Sequence, residues 1–238
     1  SRLTDNEQGL MSLNATVLNA HPARTRPRGS APTLNPAGSN SSGEQLFLDN
    51  CSGCHGDQGL GDGPASAWLQ PSPVNFAEHR YRRDLLADIL FNGVYGSSMP
   101  AWRDLSVPQL SALADVVDGF SQVAPETANS QAATAQLNSG RQVYSTHCAE
   151  CHGDNGDGNG FAVDKLPIPI MPTDFVREKL SEAAAMRALR EGVSGTSMAP
   201  WGDRLNEQEM SAAVQYVRSL YQGNGIVAQA DESVFGQE

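Results

Sequence analysis

The chain has 238 residues and a mass of 25.3 kDa, which is enough for one ordinary domain or two small ones. Its 16 Lys and Arg against 27 Asp and Glu give a formal charge of -11, so it is a poor candidate for binding nucleic acid, where phosphates must be neutralised. No apolar run is long enough to predict a membrane-spanning helix, and four cysteines are too few for a disulfide-stapled scaffold.

The two ends of the chain predict extended tails. Residues 1–42 contain the stretch HPARTRPRGSAPTLNPAGSNSSG, a composition that cannot build a hydrophobic core. Its arginines are interpreted as a solvated tail, and the alternative is a docking arm for an acidic partner. Residues 223–238 predict a second, acidic tail.

An internal repeat fills the rest of the chain and predicts a duplicated domain. Residues 43–122 begin with GEQLFLDNCSGCHGDQGLGDG, and residues 140–222 begin with GRQVYSTHCAECHGDNGDGNG, at an offset of 97. The offset becomes 99 where GVYGSSMPAW resembles GVSGTSMAPW. Residues 123–139 are the predicted linker between the two repeats.

Each repeat is predicted to be mostly helical. No alternating strand pattern is present, so the expected fold class is all-α. Glycines act as stop signals after the middle helices, at Gly93 and Gly192. Apolar spacing predicts helices from Gly43 to the first cysteine, around 85–90 and 110–120, and then around 181–190 and 210–220.

The motif C-x-x-C-H occurs twice, as Cys51-Ser-Gly-Cys54-His55 and as Cys148-Ala-Glu-Cys151-His152. This is the attachment signature of a c-type haem. Two thiols three positions apart on a turning backbone can bond the two vinyl groups of one porphyrin, and the next imidazole then lies under the iron. Two copies at equivalent places in a repeat make the signal strong.

Three other interpretations of the cysteines are less well supported: a zinc site, a redox-active dithiol and two local disulfides. A four-cysteine zinc site needs its two knuckles about 15–20 residues apart, whereas more than 90 residues separate these two. A thioredoxin-like dithiol expects a βαβ context that the sequence lacks. Two local disulfides would leave both histidines unexplained.

Methionines in register supply a candidate sixth ligand for each iron. Met99 lies 44 residues after His55, and Met198 lies 46 residues after His152. A methionine usually fills a core, but a polar, Gly-rich loop has little core to fill. Ligation by His and Met closes the iron and raises its potential, a pattern typical of electron-transfer cytochromes.

With these motifs the chain resembles a tandem dihaem cytochrome c, each half similar to a class I cytochrome c domain. The resemblance implies two covalently bound haem c groups, with four cysteines as attachment points and four metal ligands: His55, Met99, His152 and Met198. It also implies that the first helix crosses the last one through a small and an aromatic residue, here Gly43 with Phe47 and Gly140 with Tyr144. On the last helix Tyr216 matches the family's aromatic position, but the first repeat has Val116 there.

The resemblance further implies partners for the haem and its ligands. A backbone carbonyl, often that of a proline, orients the histidine. Trp102 and Trp201 are expected to shield the haem or reach a propionate, with core packing as the alternative. The Gly-rich loops 56–63 and 153–160 are expected to pass close to the haem edge. The proline candidates are Pro71, Pro73, Pro167, Pro169 and Pro172.

The implied function is electron transfer between redox partners, either as a free shuttle or as a subunit of a larger respiratory or photosynthetic complex. The alternative is a dihaem enzyme, a peroxidase or a sulfur-compound oxidase, with one catalytic haem. Covalent haem attachment implies a periplasmic address by the same resemblance. The acidic balance favours redox partners or complex subunits with a basic docking patch.

Overall fold

The computed structural model describes residues 29–35, 41–124 and 132–223. Most of the predicted N-terminal arm, the middle of the linker and nearly all of the predicted C-terminal tail lie outside these ranges. Contacts group residues 31–238 into one unit, so the two repeats belong to the same body.

Helices form most of the regular structure in the described ranges, which confirms the mostly helical fold class. The first repeat contains α1 (Ser41–Asn50), α2 (Ser52–His55), α3 (Arg83–Asn92) and α4 (Val107–Phe120). The second contains α5 (Ala132–His147), α6 (Ala149–His152), α7 (Glu182–Glu191) and α8 (Glu207–Ser219). Single 3-10 turns are η1 (Ser66–Trp68), η2 (Phe76–Glu78) and η3 (Val163–Lys165).

Local signals explain where these helices begin and end. The Ser181 side chain accepts a hydrogen bond from the Ala184 amide at the start of α7. Asn206 and Glu209 form a capping box at the start of α8. The stop signals are confirmed, because α3 ends at Gly93 with φ 69° and α7 ends at Gly192 with φ 72°.

The first and last helices of each repeat cross at a glycine. A Cβ on Gly43 would lie 2.9 Å from the carbonyl oxygen of Ala112 in α4, and a Cβ on Gly140 would overlap the carbonyl of Ala212 in α8. Glycine at both crossings therefore lets the two backbones touch. The predicted helix crossing is confirmed in both repeats.

The aromatic contact at this crossing differs between the repeats. Tyr144 packs on Tyr216 with ring centroids 5.2 Å apart, as the sequence predicts. Phe47 packs on Phe120, also at 5.2 Å, which is one helical turn beyond Val116. The first repeat thus keeps the aromatic pair by moving its partner along α4.

A small antiparallel sheet joins the repeats and is the part of the fold that the sequence did not predict. It pairs β1 (His79–Tyr81) with β2 (Glu178–Leu180), and Arg80 lies opposite Lys179. Arg80 and Lys179 are equivalent residues at the offset of 99, so an approximate two-fold axis passes between them. Strands of three residues are too short to show an alternating pattern.

Polar contacts hold the same interface. His79 Nδ1 and Glu178 Oε1 are 2.6 Å apart and largely shielded from solvent. Arg187 binds the Glu78 carboxylate with both terminal nitrogens. The Ser181 amide donates to the Glu78 carbonyl at 2.7 Å. These bonds connect elements of the first repeat with elements of the second, so they fix the orientation of one repeat relative to the other.

Candidate functional site

The two C-x-x-C-H segments fold into the same turn. The first cysteine of each motif directly follows α1 or α5, the first helix of its repeat. Both cysteines have a helical backbone, with φ -117° and ψ -34° at Cys51 and φ -116° and ψ -36° at Cys148. The histidine amide donates to the carbonyl of that cysteine at 2.9 Å in both repeats. No disulfide joins any of the four cysteines, which disfavours the interpretation as two local disulfides. The turn places two thiols and an imidazole on one short segment, twice.

Burial keeps the first thiol of each turn protonated. It raises the pKa of Cys51 to about 11 and that of Cys148 to about 11, and the second cysteine of each motif adds a smaller effect in the same direction. A reactive dithiol needs a lowered thiol pKa, so the redox-pair reading loses support. Within the described residues no group of three or more His, Cys, Asp or Glu side chains is placed to hold a metal ion. The described residues therefore provide no set of ligands for a zinc site.

Both imidazoles are half-buried and stacked on a phenylalanine. The His55 ring lies 4.6 Å from that of Phe76, and the His152 ring lies 4.8 Å from that of Phe175. Burial lowers the pKa of both histidines, which keeps the rings neutral at neutral pH. A neutral imidazole has the nitrogen lone pair that binds iron.

A backbone carbonyl orients the second imidazole. His152 Nδ1 lies 3.3 Å from the carbonyl oxygen of Thr173. Because a carbonyl only accepts, Nδ1 carries the proton and Nε2 keeps its lone pair. In the first repeat the Val74 carbonyl lies beside His55 and partly offsets the lowering of its pKa. His55 Nδ1 nevertheless has no hydrogen-bond partner among the described residues.

The expectation that a proline carbonyl orients the histidine is therefore wrong. The oxygen belongs to the residue after the proline, Thr173 or its equivalent Val74. The carbonyls of Pro73 and Pro172 face the Gly-rich loops instead, where each would clash with a Cβ on Gly61 or Gly158. Successive carbonyls of an extended chain point in opposite directions, so shifting by one residue turns the oxygen from the loop to the imidazole.

The two methionine loops share one set of hydrogen bonds. The Met99 carbonyl accepts from the Val94 amide at 3.2 Å, and the Met198 carbonyl accepts from the Val193 amide at 2.9 Å. The Met99 amide donates to Ser97 Oγ, and the Met198 amide donates to Thr196 Oγ1, both at 3.1 Å. Each methionine is half-buried and packs against the core of its own repeat. The loops thus hold both side chains in equivalent settings.

The tryptophans next to these loops provide a test of whether a haem fits. Both backbone amides bind the middle helix, Trp102 to Leu90 and Trp201 to Leu189. The indole Nε1 of Trp102 is buried without a partner in the described part of the chain. A buried N–H without an acceptor is costly, and a haem propionate is an acceptor of the right kind. The environment of Trp102 is therefore consistent with a bound haem in the first repeat.

The Gly-rich loops pass directly over the attachment turns. In the first repeat the amides of Gly61, Gly63 and Ala65 donate to the carbonyls of residues 55, 54 and 53. In the second repeat the amides of residues 158, 160 and 162 donate to the carbonyls of residues 152, 151 and 150. A Cβ on Gly63 or Gly160 would overlap a carbonyl of the turn. Glycine is therefore required where each loop passes the attachment turn, and the passage along the haem edge stays a prediction.

Comparison with known families gives two matches, one per repeat. The model of the family described as "Cytochrome C oxidase, cbb3-type, subunit III" matches residues 38–115 and 135–217, together more than half of the chain. The resemblance to a tandem dihaem cytochrome c is thereby confirmed.

Curated relatives point to the same group of proteins. The chain is 26% identical over 75% of its length to "Cbb3-type cytochrome c oxidase subunit FixP" of Azorhizobium caulinodans, and the match covers 58% of that protein. It is 27% identical, again over 75% of its length, to "Cbb3-type cytochrome c oxidase subunit CcoP" of Azospirillum brasilense, covering 61% of that protein. The chain thus spans about three-fifths of the length of these relatives.

A solved structure also aligns with the chain. It belongs to the Kuenenia stuttgartiensis reducing HAO-like protein complex Kustc0457/Kustc0458, at 25% identity over 79% of this chain and 99% of that chain. The TM-score is 0.38, which is too low to indicate a shared arrangement of the two repeats.

Proposed function

Since the chain belongs to the family of cytochrome c oxidase, cbb3-type, subunit III, we propose that it is an electron-transfer subunit of a respiratory oxidase complex. It carries two covalently bound c-type haems, one in each repeat. The observation that carries the proposal is the duplicated site, in which the attachment turn, the stacked imidazole and the methionine loop recur with matching hydrogen bonds. The named relatives are subunits of such oxidases, and this supports the assignment to a complex.

We assign the haem-binding residues by their place in each repeat. Cys51 and Cys54 would hold the first haem through thioether bonds, and Cys148 and Cys151 would hold the second. His55 and Met99 would be the protein ligands of the first iron, and His152 and Met198 those of the second. When bound, each iron supplies a one-electron couple between Fe(III) and Fe(II).

Burial and hydrogen bonds within the chain prepare the ligand residues. Burial keeps the imidazoles neutral, and the Thr173 carbonyl holds the His152 tautomer that leaves Nε2 free. Backbone hydrogen bonds fix the loops that carry the Met99 and Met198 side chains. With two protein ligands on each iron, neither repeat would keep a coordination position for a substrate. No observation favours the alternative of a peroxidase or a sulfur-compound oxidase.

We place the two repeats on the periplasmic side of the cytoplasmic membrane, where proteins of this kind receive their haems. Within the described residues no helix is long and apolar enough to cross a membrane. The partners are other subunits of the oxidase and a redox protein with a basic docking patch, because the net charge of -11 attracts a cationic surface.

Co-purification from native membranes tests the proposal. The full holoprotein should bring down the other oxidase subunits, and a chain lacking residues 1–42 shows whether the N-terminal arm contributes. Recovery of the full chain alone would count against the complex. A high-spin ferric signal, or rapid binding of carbon monoxide by the untreated protein, would instead indicate an open iron and favour an enzyme.

A further inference from the structure

The first repeat exposes a tryptophan beside its attachment turn. Among the large apolar side chains that the structure describes, Trp68 is the most exposed, at 82%. It is the last residue of η1. Just before η1, the Ala65 amide donates to the Gly53 carbonyl of the attachment turn at 2.9 Å. Tryptophan is enriched among the residues that dominate the binding energy of protein interfaces. Its position places any bound partner next to the residues proposed to hold the first haem.

The loop that carries Trp68 combines this apolar centre with negative charge. Leu60 is 42% exposed, and both Asp57 and Asp62 are exposed on the same loop. The Gly61, Gly63 and Ala65 amides bind this loop and the start of η1 to the same attachment turn. Asp57, Leu60, Asp62 and Trp68 are called the Trp68 surface below. The sequence contains no Lys or Arg from residue 29 to residue 79. An apolar centre with acidic neighbours and no nearby cation in sequence is complementary to a basic partner.

The second repeat has the same loop but not the same surface. Its backbone ladder to the attachment turn is identical, and η3 ends at Lys165 where η1 ends at Trp68. At the offset of 97, Leu60 corresponds to Asp157, and Asp62 corresponds to Asn159. Phe161 is exposed there, but it lies close in sequence to Lys165. Exposed aspartates also lie there, at 154, 157 and 164, so the two surfaces differ in the exposed tryptophan of the first repeat and the lysine that replaces it in the second.

We propose that the Trp68 surface is the docking site for a small, positively charged redox protein that exchanges electrons with the first repeat. This inference rests on the proposed function, and it specifies which repeat meets the partner and through which residues. Aspartates draw the cationic partner in and set the salt dependence of the association rate, while Trp68 supplies the central apolar contact. The lysine at the equivalent position of the second repeat would repel such a partner.

The test uses the full holoprotein and a basic mitochondrial cytochrome c as the probe. Stopped-flow kinetics give the second-order rate of electron exchange over a range of ionic strength, and line broadening in NMR titrations reports binding directly. Trp68→Ala and Trp68→Lys should each lower binding and rate about tenfold or more, and Trp68→Phe should retain most of both. Asp62→Asn should have a smaller effect and reduce the slope against salt.

Matched changes in the second repeat serve as controls. Phe161→Ala and Asp157→Asn should leave binding and rate unchanged, and a probe with succinylated lysines should react far more slowly with the wild type. An unchanged rate in Trp68→Ala, or an equal loss in Phe161→Ala, would overturn the assignment. Equal reactivity of the native and succinylated probes would also overturn it. A dimer in sedimentation experiments that Trp68→Ala dissociates would assign the surface to a second copy of the chain instead.

The proposed function has a separate readout in the same samples. Small redox mediators should reduce and reoxidise both irons in the wild type and in every variant. If they do so while Trp68→Ala has no effect, only the docking site is wrong. If they fail in the wild type, electron transfer itself is wrong.

Discussion

The two repeats share a backbone but satisfy their buried polar atoms differently. In the second repeat His152 faces the Thr173 carbonyl, and Tyr144 Oη donates to the Gly153 carbonyl at 2.6 Å. In the first repeat the equivalent of Tyr144 is Phe47, which has no hydroxyl, and both His55 Nδ1 and Trp102 Nε1 lack partners among the described residues. One scaffold thus offers its two haems different surroundings, which provides a physical basis for two different redox properties.

The largest effect is expected from removing the haems. Each repeat has about 80 residues and few aromatic side chains, so the haem completes its core, and a repeat without it should be largely unfolded. Cys51→Ser with Cys54→Ser should unfold the first repeat, and Cys148→Ser with Cys151→Ser should unfold the second. Hydrogen exchange resolved by repeat and circular dichroism check this. A cooperative, native-like melt of the haem-free chain would contradict it.

Loss of a methionine should open one iron at a time. Met99→Ala and Met198→Ala should each lower the potential of one haem by on the order of 0.1 V or more, because axial ligands change haem potentials over a range of about 0.8 V. Each variant should also gain carbon monoxide binding at one iron. Redox titration and optical spectra measure both effects. An unchanged titration for either variant would remove that methionine from the ligand set.

The shifted aromatic pair predicts where the first repeat is sensitive. Phe120→Ala should lower the free energy of unfolding by about 2–4 kcal/mol, because it removes the ring that packs on Phe47. Val116→Ala should cost about 1 kcal/mol, from the smaller apolar group lost. In the second repeat the order should reverse, with Tyr216→Ala more costly than Leu220→Ala. Denaturant melts of the four holoproteins measure this, and equal costs at Phe120 and Val116 would refute the shift.

The tyrosine hydroxyl of the second repeat should contribute a modest amount. Tyr144→Phe removes the bond to Gly153 while keeping the ring, and should lower the free energy of unfolding by about 1 kcal/mol. The matched control is Tyr216→Phe, whose ring also lies in the pair. A Tyr144→Phe protein as stable as the wild type would show that water replaces the lost bond.

The smallest expected difference is the order of the two potentials. A hydrogen bond from the ligand histidine raises its basicity, and a more basic ligand favours Fe(III). The Thr173 carbonyl lies within hydrogen-bond distance of His152 Nδ1, whereas the Val74 carbonyl beside His55 makes only a weaker contact. The second haem should therefore have the lower potential of the two. Spectroelectrochemistry, with the methionine variants identifying each haem, checks the order. Reduction of the second haem before the first would contradict it.

Much of this architecture follows from short-range signals. The middle helices end at glycines because α3 and α7 stop in a left-handed conformation that Gly93 and Gly192 adopt without strain. The crossings at Gly43 and Gly140 were expected from the family resemblance, and the structure shows that only a residue without a side chain fits there. The repeated C-x-x-C-H motif marks the attachment turns, since its chemistry requires that spacing.

The features that the sequence did not predict depend on long-range contacts or on single torsions. The strands around Arg80 and Lys179 exist because the two repeats pack together, and three residues carry no recognisable period. The carbonyl that orients His152 is one residue from the expected proline, a difference that rotation about one peptide plane decides. The move from Val116 to Phe120 follows from packing on Phe47, which no pattern within α4 indicates. The exposure of Trp68 likewise requires knowing what surrounds it.

Peptide mass mapping of the mature protein tests the central claim most directly. Digestion should release two haem-bearing peptides, one containing Cys51 and Cys54 and the other containing Cys148 and Cys151, and the intact mass should exceed the 25.3 kDa of the bare chain by two haems. Peptides with four unmodified thiols, or an intact mass equal to that of the bare chain, would contradict the account.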